Sequence, residues 1–271
     1  YVVFGSGPTG PVDNINLQFL GRSDQNLKLF VLDLETGTLL RKIDTGIQYA
    51  FAGSMYNSTN DTDQNYQDDV IYIGYVKKAG TTWTDGGIGR LITKENTDTA
   101  TWAWSTVIDG IGAVTSSVAR LQNKNTHTMW LFFGTGRYFY VQSSIIDDAD
   151  SQRTLFAIKE PCYSSAGLSE TCTTSVSAGD LTDVTDINDV PESSEAEDSS
   201  FKGWYINLDP SGNYTYLEGG SSVARSYKAE RVITDPLATT SGIVFYTSFK
   251  PYDDECAIGG KTFLWAVKYD T

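Results

Sequence analysis

The 271-residue sequence predicts an all-β fold built from repeated sheets. Three observations carry that expectation. No long stretch sets apolar residues at i, i+3, i+4 and i+7, so amphipathic helices are not expected. β-branched and aromatic runs alternate with clusters of Gly, Asn, Asp, Thr and Ser about every ten residues, the pattern of short strands joined by turns. The runs also recur in order, as an internal repeat.

The repeat can be followed along the chain. A hydrophobic strand closing on Gly or a small turn appears as VVFGSG from Val2, VIYIGY from Val70, WLFFGTG from Trp130 and IVFYTSF from Ile243. A second strand follows each: LFVLDLETG from Leu29, RLITKEN from Arg90, TLFAIKE from Thr154 and TFLWAVKYD from Thr262. The offsets are 27, 20, 24 and 19 residues. LLRKIDTG from Leu39 and WAWSTVIDG from Trp102 supply third strands. Such units with variable insertions read as blades of a β-propeller. A β-sandwich also alternates strands but does not need matched pairs at a repeating offset. Four repeats are few for a ring, so residues 1–271 read as a portion of one propeller domain, the rest lying outside this chain.

Between about residues 162 and 200 the pattern breaks into an insertion read as surface loop. Asp180 to Asp198 holds eight carboxylates and no Lys or Arg, more than half of the net charge of −14. Asp180, Asp183, Asp186 and Asp189 recur every third residue, which reads as a solvated face before an ion site. The acidic balance argues against nucleic acid or an anionic membrane surface as partner. No apolar run approaches the roughly 18 residues of a membrane span. The opening YVVFGSGPTG carries no targeting signal, consistent with a processed product or part of something longer. Cys162 and Cys172 flank the turn CYSSAGLSETC, where a hairpin disulfide in an oxidising compartment is the favoured reading and two reduced loop thiols the other. Cys256 is left over, either buried or paired outside the chain.

One segment carries chemistry. In NSTNDTDQNYQDDVIYIGY, Asp61, Asp63, Asn65 and Asp69 fall at loop positions 1, 3, 5 and 9, and Gln67 at position 7 would offer its main-chain carbonyl. Ca²⁺ takes six to eight oxygens, and alternate residues of a tight loop can supply them. Tyr66 stands where an EF-hand has Gly, Tyr72 where it has its bidentate Glu, and no helices flank the loop. The expectation is an EF-hand-like loop grafted on β structure, with roughly micromolar or weaker affinity. A polar turn that binds nothing is the bland alternative.

Other chemistries find little support. GSGPTG from Gly5 matches a dinucleotide-binding fingerprint, but PVDNINLQFLGRSDQN does not open a helix, so it reads as a turn. The single histidine, His127, excludes a multi-histidine metal centre and sits in the polar loop NKNTHT. There is no G-x-S-x-G, and no pair of carboxylates stands out as acid and base. The six tryptophans mostly alternate within strands and read as packing.

The ordered set VVFGSG, DQNLKLFVLDLETGTLLRKIDTG, FAGS, the DTDQNYQDD loop, VIYIG, FGTGRYF, LFAIKE, GWYINL, ERVITDP, VFYTSFKP and CAIGGKTFLWAV resembles the C-terminal propeller of the PilC/PilY family. Members are type IV pilus tip-associated adhesins and assembly factors. The resemblance runs over nearly the whole chain. It implies a non-enzymatic protein whose calcium loop falls on Asp61, Asp63, Asn65, Gln67 (main chain) and Asp69. It further implies Ca²⁺ control of pilus extension against retraction, surface attachment, twitching motility, minor pilins at the pilus tip as partners, and an extracellular or outer-membrane-associated place on a Gram-negative-type bacterium. YIGYVKKAGTTWTDGGIGRL departs from the family pattern by an insertion after the loop. The alternative is an enzyme, a quinoprotein-type dehydrogenase binding pyrroloquinoline quinone, whose blade repeat LFVLDLETGTLLRKIDTG also resembles. Arg41 stands where that repeat commonly places Trp, and no pair of neighbouring cysteines is present. A carbohydrate-binding propeller is a third reading.

Overall fold

The computed structural model describes residues 1–9, 12–13, 18–19, 21–123, 126–137, 150–186, 189, 191–254 and 259–269. Gly10 of the glycine-rich match, Tyr138 and Phe139 of FGTGRYF, and Cys256 lie outside the described residues.

The repeated strands form four meandering antiparallel sheets in chain order. The first holds Val2–Gly5, Lys28–Leu32 and Leu39–Asp44. The second runs Ala50–Ala52, Val70–Ala79, Thr82–Ile92 and Ala103–Asp109, with the two-residue strand Thr59–Asn60 also on Val70–Ala79. The third runs Ala119–Asn123, Thr128–Gly134, Thr154–Lys159 and Gly203–Asn207, extended by Thr182–Asp183 in parallel. In the fourth, Arg231–Val232 and Leu237–Ala238 share one edge of Val244–Pro251, and Gly260–Val267 takes the other. Among the described residues no sheet closes on itself. The insertion after VIYIG is a hairpin extension: Val70–Ala79 and Thr82–Ile92 simply run on past the length of their counterparts.

The period-2 alternation of strand side chains determines how the sheets stack. In the second sheet Ile71, Ile73 and Leu91 pack with Leu29, Val31 and Ile43 of the first. Val70, Tyr72, Ile88 and Ile92 point the other way, into a cluster with Leu131, Phe133, Phe156 and Ile158 of the third. Phe132, Leu155, Ala157 and Trp204 of the third meet Val232, Val244, Tyr246 and Val267 of the fourth. Strands covered on both faces need apolar residues at every position, which is why VIYIGYV and WLFF read as continuous runs. The outer faces of the end sheets stay open: Phe4 in the first is 44% exposed and Leu264 in the fourth 71%.

The glycine that closes the repeat has a packing cause. A Cβ on Gly5 would stand 2.2 Å from the Ala52 Cβ, on Gly74 2.7 Å from Val114 Cγ1, and on Gly134 2.3 Å from Val232 Cγ2. Each contact comes from the segment that enters the next sheet, so the glycine is the notch that lets neighbouring sheets close.

The acidic insertion differs from the expected loop. Cys162 and Cys172 are disulfide-bonded, with Cα atoms 5.6 Å apart. The short 3₁₀ turn Ala178–Asp180 carries a capping box, and Ser193–Glu197 forms one helical turn. Val176 and Leu181 enter the core between the second and third sheets, and Val184 and Ala196 enter that between the third and fourth. Four buried apolar side chains spaced through a polar tract give no periodic signal, which is why the sequence reads as loop. The regular aspartates have local duties: Asp180 accepts from the Ser177 N–H at 3.2 Å and Asp183 from the Thr185 N–H at 2.9 Å.

Candidate metal centre

The loop from Asp61 to Asp69 is held at both ends by one ladder. Asn60 pairs with Val70, and the Asp69 N–H donates to the Asn60 carbonyl at 2.9 Å. Val70 is buried in the core between sheets, so the last carboxylate of the loop is fixed by the strand that follows it. From the next hairpin, the Thr93 N–H donates to the Asp69 carbonyl at 2.8 Å and its hydroxyl to the Asp68 carbonyl at 2.5 Å.

Within this clamp the chain winds tightly. Gln64 and Tyr66 sit in the left-handed region, at φ 69° and 73°. Asp61 Oδ1 accepts from the Gln64 N–H at 2.6 Å and the Asn65 N–H at 3.2 Å, and its Oδ2 from the Tyr66 N–H at 2.8 Å. Asp63 Oδ1 accepts from the Asn65 N–H at 3.1 Å, and Asn65 Oδ1 from the Gln67 N–H at 2.9 Å. Asp69 Oδ2 accepts from the Thr62 N–H at 2.5 Å and the Thr62 hydroxyl at 2.6 Å. Each carboxylate thereby has at least one oxygen tied to the backbone, and Asp61 has both.

The result is that one carboxylate oxygen from each of Asp61, Asp63 and Asp69 lies within 4.8 Å of the others. The first and third are half-buried, the second exposed. Slight burial pushes the Asp61 carboxyl up, but the N–H groups of Tyr66, Gln64 and Asn65 outweigh it and hold it below the usual carboxylate range. Three converging carboxylates, with the Asn65 Nδ2 donating to Asp63 Oδ2 at 3.2 Å, are hard-oxygen groups of the kind Ca²⁺ takes. Sequence reading missed one neighbour. Glu95, in the turn after Thr82–Ile92, accepts from Gln67 Nε2 at 3.4 Å. Its carboxyl is pushed up first by Asp69 beside it, with the Asp63 charge adding to the effect. Glu95 follows Asp69 by 26 residues, and only strand pairing brings the two together.

His127 is exposed, and Trp83, Trp102, Trp130 and Trp204 are buried in or beside the sheet interfaces.

No protein-family model and no curated protein matches the chain. Among solved structures, the crystal structure of the Pseudomonas aeruginosa PilY1 C-terminal domain does, with a TM-score of 0.57 and 15% identity. The chain is similar in fold to that domain. The match covers 90% of this chain and 53% of that one, so the chain spans about half the length of its structural neighbour. At this identity the likeness concerns the fold. Among the described residues no helix is long and apolar enough to cross a membrane.

Proposed function

We propose that this chain is a calcium-binding, non-enzymatic portion of a type IV pilus tip-associated adhesin and biogenesis factor, contacting minor pilins and a host or abiotic surface. The pilus context draws on the fold likeness to the PilY1 C-terminal domain. Four sheets stacked face to face, with apolar outer faces open at both ends, fit part of a propeller ring whose other blades lie outside these residues. The disulfide Cys162–Cys172 fits a secreted protein.

The observation that carries calcium binding is the convergence of Asp61, Asp63 and Asp69 on a loop clamped between paired strands. Asn65, the Gln67 carbonyl and Glu95 complete the donor set. Bound Ca²⁺ would neutralise this self-repelling group of carboxylates. Through Asp69 and Thr93 the loop is bonded to two long strands of the second sheet, so ordering it changes a surface patch against a rigid scaffold. A partner that favours the ordered patch would sense Ca²⁺, and this is the proposed basis for control of extension, retraction and twitching.

Calorimetric titration of Ca²⁺ tests the site. Saturable binding is expected in the wild type and its loss in Asp63→Ala and Asp69→Ala. A folded wild type that binds no Ca²⁺ would reduce the loop to a turn. Unchanged piliation and motility in a strain carrying Asp69→Ala would count against the regulatory role.

A further inference from the structure

The metal loop also touches the third sheet, and that contact runs on into the disulfide-bonded hairpin. Thr62 stands between Asp61 and Asp63, is 5% exposed, and gives both its N–H and its hydroxyl to Asp69 Oδ2. Its carbonyl accepts at 3.2 Å from Nε2 of Gln122, in the strand Ala119–Asn123. The same Nε2 donates to the Tyr163 hydroxyl. Tyr163 opens the short strand Tyr163–Ser164, which pairs antiparallel with Gly167–Leu168. A side-chain amide nitrogen carries two N–H donors, so one atom joins the loop to the hairpin.

The two ends of this link differ in freedom. Ala119–Asn123 is paired over its whole length with Thr128–Gly134, so the backbone of Gln122 is fixed. The hairpin is fixed at its base, where Cys162 is buried, bonded to Cys172, and gives its N–H to Glu160. The Tyr163 ring packs against the core between the second and third sheets. Ser164, Ser165 and Ala166 at the tip are exposed and uncharged. A shift of Thr62 therefore passes to the Gln122 side chain and the Tyr163 hydroxyl, and the tip is free to answer it.

The proposal rests on calcium binding at the loop. Bound Ca²⁺ would draw the carboxylates of Asp61, Asp63 and Asp69 together, where their mutual repulsion otherwise favours a looser loop. Thr62 is flanked by two of these residues and bonded to the third, so its carbonyl follows them. A ligand shifts an equilibrium only through contacts that differ between two states, and here the differing contact is the bond from Gln122 to Thr62. We propose that occupancy of the metal loop is read at the Cys162–Cys172 hairpin, through Gln122 and Tyr163, and that this hairpin is the calcium-responsive surface of the chain.

The test titrates Ca²⁺ into the isotope-labelled 271-residue chain, following the amide NMR shifts of Gly167 and Leu168 beside calorimetry. In the wild type the shifts are expected to track Ca²⁺ with the calorimetric midpoint. In Gln122→Ala, and in Tyr163→Phe, which keeps the packed ring, they should be lost while Ca²⁺ still binds. Coupling between sites is reciprocal, so replacing Cys162 and Cys172 by Ser should weaken Ca²⁺ binding at least about fivefold. In the Gln122→Ala background the same replacement should change it by less than about twofold, because the link is already cut. Hairpin shifts that persist in both variants, or equal weakening in both backgrounds, would overturn the proposal. A chain that binds Ca²⁺ while the hairpin stays unchanged overturns it alone, and a chain that binds no Ca²⁺ overturns the calcium site with it.

Discussion

The most informative perturbation of the fold is at Glu160, which bridges the second and third sheets to Arg90 with both side chains fully buried. The Arg90 guanidinium also donates to the Ser105 hydroxyl at 2.9 Å and to the Thr174 carbonyl. Glu160 Oε1 accepts a second bond from the Cys162 N–H at 2.9 Å. Glu160→Ala removes the partner and leaves a guanidinium buried without its counter-charge, a change that costs about 3–5 kcal/mol. For a chain of this size about 2 °C follows each kcal/mol, so the melting temperature should fall by about 6–10 °C. Arg90→Met with Glu160→Leu removes both charges and fills the space, and should stay within about 1 kcal/mol of wild type. Burial pushes the Glu160 carboxyl up, with the Arg90 charge and the Cys162 N–H opposing incompletely. The folded state therefore binds this proton more tightly than the unfolded state. Its contribution is full below the ordinary value of 4.5 and is lost as pH rises through the folded value. Glu160→Gln, which cannot titrate, should lack that slope. Urea unfolding of the four proteins between pH 4 and pH 8 reads all of this. A single variant costing under about 1 kcal/mol, or a double variant as damaged as the single, would refute the reasoning.

Perturbations at three other places have definite expected outcomes. Replacing Cys162 and Cys172 by Ser opens a loop with a sequence separation of 10 and should cost about 2–3 kcal/mol. Thr174 lies just beyond that loop and bonds Arg90, so a double-mutant cycle should show this loss and that of Glu160→Ala to be non-additive. Tyr66→Gly removes a left-handed conformation costing about 1 kcal/mol from a side chain that is 99% exposed. Calorimetry should then show Ca²⁺ binding tightened a few-fold, and weaker binding would contradict the loop geometry. Gly74→Ala puts a Cβ 2.7 Å from Val114 Cγ1 and 3.0 Å from the Ser116 carbonyl, and should destabilise by about 1–3 kcal/mol in urea unfolding. Gly7→Ala, where a Cβ meets nothing within 4 Å, should instead be neutral or stabilising.

What was legible in the sequence follows from where each constraint resides. Strand runs such as VIYIGY and WLFFGTG are legible because a continuous apolar run is a local property, and the structure buries both faces of each strand. The acidic loop is legible for the same reason: Asp61 to Asp69 are nine consecutive residues. Glu95 is not legible, since what places it against that loop is the pairing of Val70–Ala79 with Thr82–Ile92. The buried anchors Val176, Leu181, Val184 and Ala196 are hidden likewise, because they serve two different cores and so share no period.

The closing glycine lies between these cases. Its recurrence can be seen in the sequence, but its cause is a contact with the next sheet. Gly5, Gly74 and Gly134 stand on the faces turned toward Ala52, Val114 and Val232. In the fourth repeat, IVFYTSF, the equivalent position is Thr247, paired with Leu264, which is 71% exposed on the outer face. The three notched faces are those that receive a following sheet within this chain, and the repeat without a notch is the one whose equivalent position stands on an open outer face. The glycine therefore tracks close sheet-to-sheet contact and not strand formation, since the strand at Val244–Pro251 forms fully without it.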